Sequence, residues 1–141
     1  MELQNLAEEL DKMIVNGQMI EAFEKFFHDD CITHYSKKDK TTGKSEKKAR
    51  LENFFHNVAE TNSVVLHSSA AGNDVTMSEM TYEYTFLDGT RLRWNEVIRR
   101  IWVDGKVIDE RYYVGEDTDV TPPQVKTIKP KKTVKKVSSP K

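Results

Sequence analysis

The chain has 141 residues, 32% of them charged and 37% hydrophobic, which is the size and balance of one globular domain. No apolar run approaches the ~20 residues that cross a bilayer, and the N-terminal MELQNLAEEL lacks the basic start and apolar stretch of a secretory signal, so a cytoplasmic protein is expected. The net charge of −1 hides a division: seven of the 22 basic residues and none of the 23 acids lie from Lys126 onward, so the folded part is acidic.

Leu3, Leu6, Leu10, Met13 and Ile14 recur at helical spacing, which predicts an amphipathic helix over 3–15 ended by Asn16-Gly17. A short second helix follows, with Ile20, Phe23, Phe26 and Phe27 as its buried stripe. Asp29 and Asp30 break that pattern, and Cys31 to Tyr35 reads as a short strand. Cys31 is the only cysteine, so no internal disulfide is available. A small buried residue is expected there rather than a reactive thiol. Residues 36–43 read as a polar loop. A third helix is expected from Ser45, its candidate N-cap, to Val58, burying Ala49, Leu51, Phe54, Phe55 and Val58.

After Asn62 the period becomes two. SVVLHSSAA reads as a strand and Gly72-Asn73-Asp74 as a turn, with further strands over 75–86, 91–103 and 106–114. Asp88-Gly89 and Asp104-Gly105 are the hairpin signals between them. Helices followed by a strand meander predict an α+β fold, three N-terminal helices packed on a curved antiparallel sheet, over residues 1–115. From Glu116 the prolines at 122, 123, 130 and 140, interleaved with lysines, predict a disordered basic tail over 116–141. It lacks interleaved aromatics and arginines, so a solubilising extension is expected rather than nucleic-acid binding.

If both Asp-Gly turns are two-residue loops, they fix a register. Tyr84 then faces Arg93, Tyr82 faces Asn95, Arg99 faces Glu110 and Val97 faces Tyr112. The face so defined places Tyr82, Tyr84, Asn95, Arg99, Glu110 and Tyr112 toward the helices. An apolar wall with a few polar groups is the composition of a ligand pocket. The opposite face collects Trp94, Ile98 and Trp102 among charges, including an Arg100–Asp109 pair. That mixture suits an interface and predicts a homodimer through this face.

FFHDDCITHY after two amphipathic helices, TGKSEKKARLENFF, and WVDGKVIDERYYVG together resemble the SnoaL-like branch of the NTF2-like superfamily, over about residues 3–115. The resemblance implies a cone-shaped α+β barrel, commonly dimeric. Its members include ketosteroid isomerase, scytalone dehydratase, limonene epoxide hydrolase and polyketide cyclases, beside non-catalytic binding modules. In the cyclases the last strand carries a His-x-Asp pair; those places fall on Glu110 and Tyr112 here. The resemblance also makes His34, at the end of the first strand, a pocket-lining candidate.

Glu110 and His34 are thus the candidate bases, with Tyr82, Tyr84, Asn95, Arg99 and Tyr112 as ligand contacts. A neighbouring Arg is expected to keep Glu110 ionised, leaving an ion pair that holds strand register as the other reading. No HxxxH, His-x-His, CxxC or GxGxxG occurs, so neither a metal nor a nucleotide cofactor is expected. Two functions follow: a pocket for a small, largely apolar molecule, with proton transfer as its natural chemistry, or a non-catalytic dimeric module with a filled core.

Overall fold

In a computed structural model that describes residues 2–123, the elements run α1 (Leu3–Val15), α2 (Met19–Phe26), β1 (Phe27–His34), β2 (Lys40–Thr42), α3 (Lys44–His56), β3 (Val58–Ala71), β4 (Val75–Phe86), β5 (Arg91–Val103), β6 (Lys106–Val114) and β7 (Asp119–Thr121). The strands form one sheet in the order β2-β1-β6-β5-β4-β3, and β7 pairs with β5. This is the expected α+β architecture of three helices on a curved sheet. The sheet is mixed rather than wholly antiparallel, because β1 lies parallel to β6. Among the described residues no helix is long and apolar enough to cross a membrane.

The helices are placed by their apolar stripes. α1 buries Ala7, Leu10 and Ile14, and α2 buries Ala22, Phe23 and Phe26. Ile20 is only half-buried and Phe27 already opens β1. α3 starts one residue earlier than expected. Gly43 caps it at φ +92°, a conformation open to glycine, so Ser45 is not the cap. Ala49 is exposed and Val58 belongs to β3. Cys31 is buried. The core joins these helices to Met80, Ile98, Trp102 and Val107 of the sheet.

The register departs from the two-turn count at two places. The β4–β5 loop has three residues, Leu87, Asp88 and Gly89. Phe86 donates its N–H to the Thr90 carbonyl at 2.8 Å, and Gly89, at φ +91°, donates back to Phe86 at 2.9 Å. Tyr84 therefore faces Leu92, and Tyr82 faces Trp94. The β5–β6 turn is the expected two-residue loop, with positive φ at Asp104 and Gly105 and Val103 opposite Lys106. A bulge then intervenes: Trp102 pairs with Val107 but Ile101 pairs with Asp109, leaving Ile108 unmatched. Beyond it Arg100 faces Glu110 and Ile98 faces Tyr112.

Each shift moves one residue, and a one-residue shift exchanges the faces of a strand. β4 and the second half of β6 keep their expected facing, while β5 is turned over. Ile98 and Trp102 are buried and Trp94 points to the helix side, so the three residues expected to anchor a dimer belong to the interior. Asn95 and Arg99 lie on the outer face.

The segment after Gly115 continues along the sheet. Gly115 donates to the Asn95 carbonyl at 2.8 Å, and β7 then pairs with Arg91 to Arg93 of β5, in the lane that β6 has left. The start of the stretch expected as tail is thus an edge strand. Its remainder, 124–141 with all seven of its lysines, lies outside the described residues.

Candidate functional site

Turning β5 over sends its long polar side chains inward, and they must be satisfied there. Arg100, 1% exposed, is clasped by two buried carboxylates. Its Nη1 donates to Asp11 Oδ1 at 2.9 Å and its Nε to Glu110 Oε2 at 2.9 Å. Lys47 from α3 lies 3.1 Å from the other Glu110 oxygen, which also accepts from Thr33 Oγ1 at 3.2 Å. Ser78 donates to Asp11 Oδ2 at 2.5 Å. Two cations and two carboxylates thus cancel formally inside the cone. Burial pushes the Glu110 pKa upward, but Lys47 and Arg100 outweigh it and hold the carboxyl at about 2. Glu110 is a structural anion, not a group poised near neutrality.

Above this network opens a cavity of about 270 Å³. Six aromatic side chains line it: Tyr35, Phe54, Tyr82, Tyr84, Trp94 and Tyr112. The Tyr82 ring stacks on Trp94 at 5.0 Å and on Tyr84 at 6.2 Å, while Phe54 meets Tyr84 edge-on at 5.2 Å. A smaller void of about 20 Å³, room for one water, lies deeper against Lys47, Arg100 and Glu110 and shares Tyr82 and Tyr112 with the main cavity. The ionic network is therefore the floor of the pocket.

One carboxylate in the wall stands outside that network. Glu96 of β5 lines the cavity and is 7% exposed. Its Oε1 accepts from the Trp94 indole N–H at 2.9 Å. Burial raises its pKa to about 7, with the Glu110 charge adding to the rise and the Trp94 hydrogen bond opposing it. A carboxyl at that value can both take and give a proton at neutral pH.

Of the residues singled out from sequence, Tyr82, Tyr84 and Tyr112 meet around the cavity. Burial pushes the hydroxyl pKa of Tyr84 up, and that of Tyr82 and Tyr112 well up, so all three keep their protons. Glu110 faces inward as expected, but paired with Arg100 rather than Arg99. His34, Arg99 and Asn95 do not reach the pocket. His34 Nε2 and Arg99 Nη2 share the Asp109 carboxylate on the outer face, at 3.2 and 2.8 Å. The two expected ion pairs exist with their arginines exchanged. Asn95 accepts from Thr81 and donates to Asp117 at 2.6 Å, also outside.

Glu96, Lys47 and Asp11 were missed from sequence. A signal existed for each. Leu92, Trp94, Ile98 and Trp102 all occupy even positions of β5, an apolar stripe that includes Glu96 and should have outweighed the turn count. Asp11 sits within the Ala7, Leu10, Ile14 stripe of α1, and Lys47 is one turn before Leu51 of α3.

The SnoaL-like domain family matches residues 8–110. A protein from Mesorhizobium loti, provisionally classed as a SnoaL-like polyketide cyclase, superposes with a TM-score of 0.72 at 20% identity, over 80% of this chain and 99% of its own. An NTF2-like protein from Burkholderia pseudomallei gives 0.68 at 10% identity, over 79% and 89%. A protein of ketosteroid isomerase-like fold from Catenulispora acidiphila, solved with trimethylamine, gives 0.58 at 11% identity, over 67% and 73%. No curated protein matches. The family model spans residues 8–110, most of this chain, and the fold is shared with these structures, so the chain belongs to the SnoaL-like domain family.

Proposed function

We propose that the cavity takes up a small, largely apolar molecule bearing one or two oxygens, and that Glu96 moves a proton on it, as in an isomerisation or dehydration. The observation that carries this reading is Glu96 itself: a buried carboxyl in the wall of an aromatic cavity, with its pKa brought to about 7 by burial. A cavity of about 270 Å³ is at the lower edge of the roughly 300–1,000 Å³ of ligand sites, which favours a compact ligand. It also speaks against a module with a filled core. The relatives classed with cyclases and isomerase-like folds are consistent with such chemistry. Glu96 replaces Glu110 and His34 as the proposed base, since the first is locked in ion pairs and the second is outside.

The test is α-proton exchange of 2-tetralone, a compact enolisable ketone, in deuterated buffer followed by NMR. The wild-type protein is expected to accelerate exchange, with a rate that rises with pH through about 7, and Glu96→Gln to lose at least about 100-fold of that acceleration. Acceleration that survives Glu96→Gln refutes the assignment.

The outer sheet face supports the proposal of a homodimer, with different anchors from those first expected. Exposed Met77 and Tyr113 and half-buried Val97, Ile101 and Ile108 lie there beside Arg99, Arg111 and Asp109. Light scattering that reports a monomer at micromolar concentration removes this part. A cytoplasmic setting, a ligand-binding unit of residues 1–115, and a solubilising rather than nucleic-acid-binding role for the lysines from Lys126 onward complete the reading.

A further inference from the structure

The proton of the Tyr112 hydroxyl has no acceptor in the side chains around it. Lys47 Nζ lies 3.0 Å from the Tyr112 oxygen. An ammonium can only donate, so that oxygen accepts, and its own O–H must point elsewhere. Among the described residues no other side chain hydrogen-bonds to it. The neighbouring Tyr35 differs: Lys47 is 3.5 Å from its oxygen, and Thr41 Oγ1 stands 3.2 Å away to take its proton. Tyr112 lines the cavity. Tyr112 is partly buried, and a donor facing the cavity with no protein acceptor is open to a ligand atom.

The charges around the cavity decide what kind of atom that is. Lys47 and Arg100 are matched by Glu110 and Asp11. Arg50 at the rim is tied by two hydrogen bonds to Asp39, at 2.8 and 2.6 Å. No net positive charge is left for an anion, and Glu96 adds a negative one when ionised. A cation finds little either, because the faces of Tyr82, Tyr84 and Trp94 are turned toward one another in the stack. We propose that the Tyr112 hydroxyl, its oxygen held by Lys47, is the subsite for a neutral acceptor oxygen, a ketone or aldehyde carbonyl on the ligand. This rests on the reading that the cavity holds an apolar ligand, and it names the class.

Two probes of similar shape separate the two claims: 2-acetylnaphthalene and 2-ethylnaphthalene. Binding is measured by fluorescence and the bound ketone by its infrared C=O stretch. Tyr112→Phe keeps the ring and removes only the hydroxyl. The variant is expected to bind the ketone about threefold to tenfold more weakly, to bind the hydrocarbon as wild type does, and to lose the downshift of the C=O stretch. Tyr113→Phe, which removes a hydroxyl from the other face of β6, is expected to change none of these. A ketone affinity and C=O stretch that Tyr112→Phe leaves unaltered overturn the subsite while the pocket stands. Tighter binding of 2-naphthoate than of the ketone overturns the neutral class. Failure of the wild-type protein to bind either probe overturns the pocket, and the subsite with it.

Discussion

Glu96 and Glu110 lie on adjacent strands of one face and are driven in opposite directions by what surrounds them. Glu110 meets two cations and stays ionised; Glu96 meets aromatic rings, and burial outweighs the Trp94 and Tyr82 hydrogen bonds and the Arg100 charge that favour its anion. Their effects on stability oppose each other accordingly. The folded state binds the Glu96 proton up to about pH 7, whereas the ordinary carboxyl value is 4.5. Between those values the folded state holds more protons than the unfolded, so the Glu96 contribution is full below about 4.5 and is lost as pH rises through 7. The loss is on the order of 3 kcal/mol. Glu96→Gln is expected to abolish that decline, seen as a flatter urea-midpoint profile from pH 5 to 8. Glu110 works the other way, contributing above 4.5 and losing its contribution as pH falls toward about 2. Arg100→Met leaves Asp11 and Glu110 buried with less compensation and is expected to cost about 3–5 kcal/mol in urea unfolding.

At the scale of elements, much was legible in the sequence. α1, β4, β5 and β6 begin and end where the apolar periods and Asp-Gly dipeptides put them. These signals are local, so one chain carries them. β2 and β7, three residues each, carry too short a pattern to read and exist because a neighbouring strand offers an edge. Register was not legible. It depended on whether Leu87 joined the loop and whether Ile108 was skipped, and both are settled by packing far from the turns. Half of the pocket followed from the correctly faced strands, Tyr82, Tyr84, Glu110 and Tyr112, and half was lost with β5. The three-residue loop carries its own prediction. A Cβ on Gly89 would adopt φ +91° and lie 3.2 Å from Pro123 Cβ. Gly89→Ala is expected to cost about 1 kcal/mol or more, read as a lowered thermal midpoint.

Across the whole molecule, the inside of the cone is neutral except at Glu96, and the outer face holds a second polar set. Arg93, Asn95 and Arg99 occupy the alternate positions of the strand that supplies Trp94, Glu96 and Arg100 to the interior. Ile108 is the single unmatched residue that keeps Glu110 and Tyr112 aligned with the second series rather than the first. In a sheet, one residue gained or lost acts as a frameshift acts on a reading frame: everything downstream keeps its order and changes its meaning. This strand is written with sense in both frames. Were Leu87 to join β4, leaving a two-residue loop, and the bulge at Ile108 to be lost, an asparagine and two arginines would enter the interior in place of a carboxylate, an indole and one arginine. A fold of this kind can exchange a carboxylate-bearing cavity for a cationic one by register alone, with no side chain in the strand replaced.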